Sequence, residues 1–204
     1  MKTVNVSTGK ENFSQRNNEV NPFISCNTTS LTMGTFYIPE LWELFINSPI
    51  YKKYERFSQP EDRLQQYMLD NKLEPQNHYD LMRAYNQFIG READFFSTAV
   101  PFRELVDELL SGRPWVGSGT FPGHPTIKKA PLGHIICVVG MIYEDDPYSP
   151  IEMIIDDPYG NTMNDWQGSG NDIQIPWDLF VKWMKPCGDP NVFWAHRFRT
   201  SGKS

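Results

Sequence analysis

Apolar residues recur at helical spacing up to about residue 112, and as alternating or continuous runs after Pro114. Residues 1–22 are polar and irregular, with room for a short strand at the start. In "CNTTSLTMGTFY" the positions Leu31, Met33, Phe36 and Tyr37 fall three to four apart, which predicts a helix over 27–37. Thr28, Thr29 and Ser30 suit its first turn, where hydroxyls satisfy free backbone N–H groups, and Pro39 marks an end or a new start. "PEDRLQQYMLDN" (60–71) opens on proline and an acidic turn and carries Leu64, Tyr67 and Met68 on one face. "YDLMRAYNQFIG" (79–90) places Leu81, Met82, Tyr85, Phe88 and Ile89 before Gly90 as C-cap. "VPFRELVDELLSGR" (100–113) repeats the scheme and closes on Gly112, so residues 40–112 read as mostly helical.

Beyond Pro114, "WVGSGTF" (115–121) reads as a short strand, and "GHIICVVGMIY" (133–143) is the unbroken apolar run of a strand buried on both faces. "IEMIID" (151–156) follows a turn rich in Asp and Pro and should close a hairpin with it. "PWDLFVKWMK" (176–185) predicts a helix opening on Pro176, and "NVFWAHRFR" (191–199) alternates as a last strand. Helices first and a mostly antiparallel sheet second is the α+β class. At 204 residues the chain fits one domain over 1–204, with 40–112 as a helical insertion within it.

Composition narrows the functions. With 39% apolar and 14% aromatic residues, the chain can bury a core without metal or disulfide support. A net charge of −6, from 19 Lys and Arg against 25 Asp and Glu, argues against broad contact with nucleic-acid phosphates. The basic end "HRFRTSGKS" reads as a solvated terminus. Three cysteines with no repeated spacing predict free thiols in a reducing compartment. The first 18 residues lack the apolar stretch of a signal peptide, and no run approaches the ~18 apolar residues that span a membrane. These features predict synthesis in the cytoplasm and no membrane insertion.

Cys26 stands at the start of the first predicted helix. A cysteine becomes a nucleophile when its thiolate is stabilised, by the positive end of a helix dipole or by an imidazole within hydrogen-bond reach. Of His78, His124, His134 and His196, His134 is best placed, at the head of the 133–143 strand behind a glycine. If the hairpin turns near residue 147, opposed residue numbers add to roughly 291–294, which sets His134 across from residues 157–160. Asp157, held extended before Pro158, could then orient the imidazole. The backbone N–H of Cys26 and the side-chain amide of Gln15 are the oxyanion donors in reach of the pattern.

Blander readings cover the other residues. Cys137 is a core residue, Cys187 a turn residue, and His78 and His196 are structural or solvated. His124, in "FPGHPTIKK", is the rival base. A zinc site of Cys26, His124 and His134 lacks the short paired spacings of zinc motifs, and "DDPYGNTMNDWQGSGND" lacks the spacing of an EF-hand loop. Asp156 points away from Asp157 and caps the turn, and Trp166, Trp177, Phe180 and Trp183 read as core. The glycines of 115–120 could leave a groove wall beside the cleft.

Taken in order, "FSQRNN…CNTTSLTM", "GHIICVVGM" and "IIDDPYG" resemble the C39-like cysteine peptidases of the papain superfamily, over residues 12–160 in three islands. The resemblance implies a papain-like fold, with the helix carrying the cysteine packed on a mostly antiparallel sheet. It implies Cys26 as nucleophile, His134 as general base and acid, Asp157 as orienting carboxylate and Gln15 as oxyanion donor, with no cofactor. Two departures stand out: Asn27 replaces the family's usual glycine, and the gap from Gln15 to Cys26 is longer than usual. For the substrate, the resemblance favours peptidoglycan, cut by a phage-lysin type of enzyme that reaches the wall after release. The alternatives are a cytoplasmic peptidase that processes leader peptides, and a papain-like binding module without catalysis.

Overall fold

The computed structural model of the chain describes residues 1–7, 13–122 and 132–200. Along the chain these form β1 (Lys2–Asn5), α1 (Cys26–Phe36), α2 (Pro39–Asn47), α3 (Pro49–Lys53), α4 (Pro60–Asp70), α5 (His78–Ile89), β2 (Asp94–Pro101), α6 (Phe102–Leu110), β3 (Trp115–Phe121), β4 (Leu132–Tyr143), β5 (Glu152–Asp156), β6 (Ile173–Pro176), α7 (Trp177–Trp183) and β7 (Val192–Phe198). Short 3-10 turns lie at Gln15–Asn17 and Thr162–Asn164. The strands make one sheet in the order β2-β7-β3-β4-β5-β6, with β1 added on β4 and every pairing antiparallel. No helix of the described residues is long and apolar enough to cross a membrane.

The axis of the sheet is β4. Its Val138 and Cys137 pair with both β3 and β5, so those strands occupy opposite edges. β1 meets β4 at Gly140–Tyr143, opposite β5, and so extends the β3 side. Beyond His134 the strand is apolar because both faces are covered. Ile135, Cys137 and Val139 join a core with Leu31, Phe45, Leu64, Leu81 and Phe88 from α1, α2, α4 and α5. Ile136 and Val138 join a second core with Val106, Trp115, Phe180 and Phe193, where α6 and α7 lie. Period-two alternation sends neighbouring residues to opposite cores.

The predicted hairpin forms with the expected register. Opposed residue numbers total 293 at Cys137↔Asp156 and Val138↔Ile155, then 294 beyond a bulge, at Gly140↔Ile154. Gly90 ends α5 in the left-handed conformation, φ 77°, as a C-cap glycine does.

The helical reading of 40–112 is corrected at residues 94–101, which are strand β2 at the sheet edge, paired to β7. "DFFSTAVP" is rich in aromatic and β-branched residues, but it lies between two strongly amphipathic helices whose period masks it. Helix α6 accordingly starts at Phe102 rather than near residue 100, with extended Pro101 as its N-cap. β6, four residues long, was also not anticipated.

Candidate active site

Cys26 is the first residue of α1, so the N–H groups of its turn have no helical acceptors and present their partial positive charge at the thiol. No acidic side chain in that turn opposes it. The segment before the helix is tied down from within: Asn18 Nδ2 donates to Ser25 Oγ (2.9 Å) and Thr29 Oγ1 (3.1 Å). Ser30 Oγ donates to the carbonyl of Ile135 (3.0 Å), which fixes α1 against β4 one residue beyond His134.

His134 sits on β4 opposite Gly119 and is 5% exposed, and Asp157, just past β5, is 1% exposed. The His134 Nε2–Asp157 Oδ1 distance is 2.8 Å, and the same oxygen accepts the Tyr159 N–H at 2.8 Å. With Nε2 engaged, Nδ1 is the ring nitrogen left for the sulfur of Cys26, which also interacts with the ring. Burial by itself would lower the imidazole pKa. The Asp157 carboxylate and its hydrogen bond, joined by the Cys26 side chain, outweigh burial and raise it to about 10. These contacts favour the imidazolium form of His134, the charge state that stabilises a neighbouring thiolate.

The site is roofed by aromatic rings. Trp166 and Phe121 meet the His134 ring nearly edge-on, at 5.1 and 5.4 Å between centroids. Asp165 and Trp166 are both left-handed, φ 47° and 63°, a conformation that is costly for a bulky side chain and is kept where the surroundings enforce it. Arg16 donates to the Trp166 carbonyl and lies over the Tyr159 ring at 4.7 Å, locking the segment before Cys26 to the loop after Asp157.

The fold brings Cys26, His134 and Asp157 to one place. Gln15 is buried nearby; its N–H donates to Pro158 O (2.9 Å) and its amide Nε2 to Pro22 O (2.7 Å). One of its two amide hydrogens thus holds the 21–25 turn. Asn27 stands beside the thiol, with Oδ1 3.4 Å from Cys26 Sγ. His124, and with it the zinc reading, lies outside the described residues. Among the described residues no group of three or more His, Cys, Asp or Glu is placed to hold a metal.

His78 and His196 do not point at this site. Asp94 Oδ2, His196 Nδ1 and Nε2, and His78 Nδ1 form a separate chain, with contacts of 2.7 and 3.0 Å. Sequence reasoning missed Trp166 as a partner of His134; the glycines after it in "DWQGSGND" signalled only a loop.

The same region stands out in comparison with known proteins. The sequence model of the Peptidase_C39 like family matches residues 10–180, most of the chain. No curated protein matches. A solved structure of a candidate C39-like peptidase from Bacillus anthracis superposes with a TM-score of 0.57 at 14% identity, covering 100% of each chain, which is a likeness of fold. The match spans the helix that opens on Cys26 and the strand that carries His134, and the chain belongs to the C39-like family of cysteine peptidases.

Proposed function

We propose that the chain hydrolyses an amide bond by a Cys-His-Asp mechanism, with the stem peptides of peptidoglycan as substrate. Cys26 Sγ, as thiolate, attacks the carbonyl carbon, and the Cys26 N–H with the second amide hydrogen of Gln15 receives the developing oxyanion. As the C–N bond breaks, the His134 imidazolium gives its proton to the leaving amine. It then takes one from the water that cleaves the thioester, which releases a carboxylic acid and restores the pair. Asp157 holds the ring orientation and offsets the imidazolium charge throughout.

One observation carries this reading: a buried 2.8 Å His134–Asp157 bond whose imidazole also meets a thiol at a helix N-terminus. The hydrolase part rests on that geometry and on the family. The cell-wall part rests on the resemblance of the sequence motifs. Purified peptidoglycan of several wall types, digested beside the Cys26→Ala variant and read by mass spectrometry, tests both. New amine termini released only by the unaltered chain are the expected result and name the bond. An intact wall, with a panel of free peptides cleaved by the same preparation, would replace the cell-wall substrate with a soluble peptide. Neither substrate cut, by a chain whose Cys26 alkylates no faster than Cys187, would end the hydrolase reading.

A further inference from the structure

The chain buries a second carboxyl next to Asp157 that the steps above do not use. Asp156 ends β5 and points to the opposite face from Asp157, where it is fully buried. Its Oδ1 accepts the Asp172 N–H (2.7 Å), and its Oδ2 accepts the phenol O–H of Tyr37. Tyr37 is the C-cap of α1, the helix whose first residue is Cys26. Asp172 in turn accepts from Asn5 Nδ2 and Ser7 Oγ, both at 2.7 Å, and Asn171 Nδ2 donates to its other oxygen at 3.0 Å.

These bonds close the base of the loop between Asp157 and Asp172. The Asp157 N–H makes a second closure on Gly170 O at 2.8 Å. The loop carries the carboxylate that holds His134, the Pro158 carbonyl that receives the Gln15 N–H, and Trp166 against the imidazole. We infer that Asp156 is a positioning residue for the reaction: through Tyr37 and Asp172 it couples the far end of the Cys26 helix to the strand end that presents Asp157. The role rests on the reading of Cys26, His134 and Asp157 as the reacting set.

The titratable groups facing Asp156 are Tyr37 from α1, Cys137 from β4, Asp172 from the far end of the loop and its neighbour Asp157. None is a cation. Burial raises the Asp156 carboxyl to about 7 and pushes the Tyr37 phenol well above its ordinary value, so Tyr37 remains a donor. Asparagine at 156 conserves the shape: its oxygen can accept from Asp172 N–H while its amide donates to the Tyr37 oxygen, which then turns from donor to acceptor. Alanine makes neither bond.

The test uses the full chain and its Asp156→Asn, Asp156→Ala and Tyr37→Phe variants. Two readouts are followed: the alkylation rate of Cys26 by iodoacetamide at pH 6, and the NMR signal of the His134 ring N–H. In Asp156→Ala we expect Cys26 to slow by about tenfold or more, as misplacement of a reacting group does, and the ring-proton signal to broaden or vanish. Asp156→Asn should keep both near their original values, a rescue that loss of stability alone does not give. If Asp156→Ala does not fold, Tyr37→Phe decides, since it keeps the ring and removes only the O–H; a slower Cys26 is again expected. Folded Asp156→Ala or Tyr37→Phe with unchanged rate and ring signal would overturn the positioning role. If Cys26 of the unaltered chain reacts no faster than Cys187, the reading of the reacting set fails, and the positioning role with it.

Discussion

The imidazole of His134 is shifted in the opposite sense to that of His78. Burial disfavours its charged form, but Asp157 and Cys26 outweigh burial and raise its pKa to about 10. Its pKa is raised above the unfolded value, so the pair's contribution to stability is present in full below about pH 6.5 and is lost as pH rises through about 10. Urea unfolding should therefore show Asp157→Ala more costly at pH 6 than at pH 10.5; an equal cost at both would mean the pair carries no such linkage. At about pH 6, iodoacetamide should also modify Cys26 well before Cys137 and Cys187, and His134→Ala should slow that reaction, with peptide mass mapping as the readout. His78 has the reverse sign. Burial first, then His196 and Lys185, depress it to about 3, so it favours folding above pH 6.5, and that contribution falls away on acidification. His78→Gln should flatten the loss of thermal stability between pH 6.5 and 4.

At the scale of elements, two close approaches hold the site's framework. A Cβ on Gly140 would lie 2.1 Å from the Val4 carbonyl oxygen, because β1 runs against β4 at the bulge where the β4–β5 register shifts. Gly140→Ala should push β1 off the sheet, at a cost of about 1–3 kcal/mol, and hydrogen exchange at residues 3–5 should rise first. Gly160 lies in the loop that carries Trp166; its φ is 138° and its Cβ would meet the Trp166 carbonyl at 2.6 Å. Alanine there strains the backbone and shifts the ring that roofs His134, with an expected cost of about 1–3 kcal/mol by denaturant titration and a slower Cys26. A Gly160→Ala protein with unchanged alkylation would detach the loop from the chemistry.

Over the whole molecule, one sheet separates two cores, and α1 packs in the first of them with its opening residue at the site. Leu31, on α1, and Ile136, on the other face of β4, are both fully buried. Leu31→Ala and Ile136→Ala should each cost about 2–5 kcal/mol, and the double variant their sum within about 0.5, since the two side chains occupy different cores. Urea denaturation of the three variants reads this directly; a strongly non-additive double variant would show that the sheet transmits repacking from one core to the other.

Much of this was legible in the residues because the patterns involved are local. Helical spacing placed α1, α4 and α5, and an unbroken apolar run placed β4 as the strand covered on both faces. The turn between β4 and β5 fixed a register within a residue or two, enough to set Asp157 near His134. β2 escaped because eight residues between amphipathic helices carry too weak a period, and β6 because four residues carry almost none. The remaining features depend on groups far apart in the chain. Trp166 meeting His134, Gln15 bonding Pro158, the Asp94–His196–His78 chain, and Asp156 joining Tyr37 to Asp172 all arise when distant segments pack. Local sequence determines which elements form and which face each side chain takes. Which side chains meet across distant segments was decided only by the two cores closing around the sheet, because burial selects that arrangement and each buried polar group must then find its partner within it.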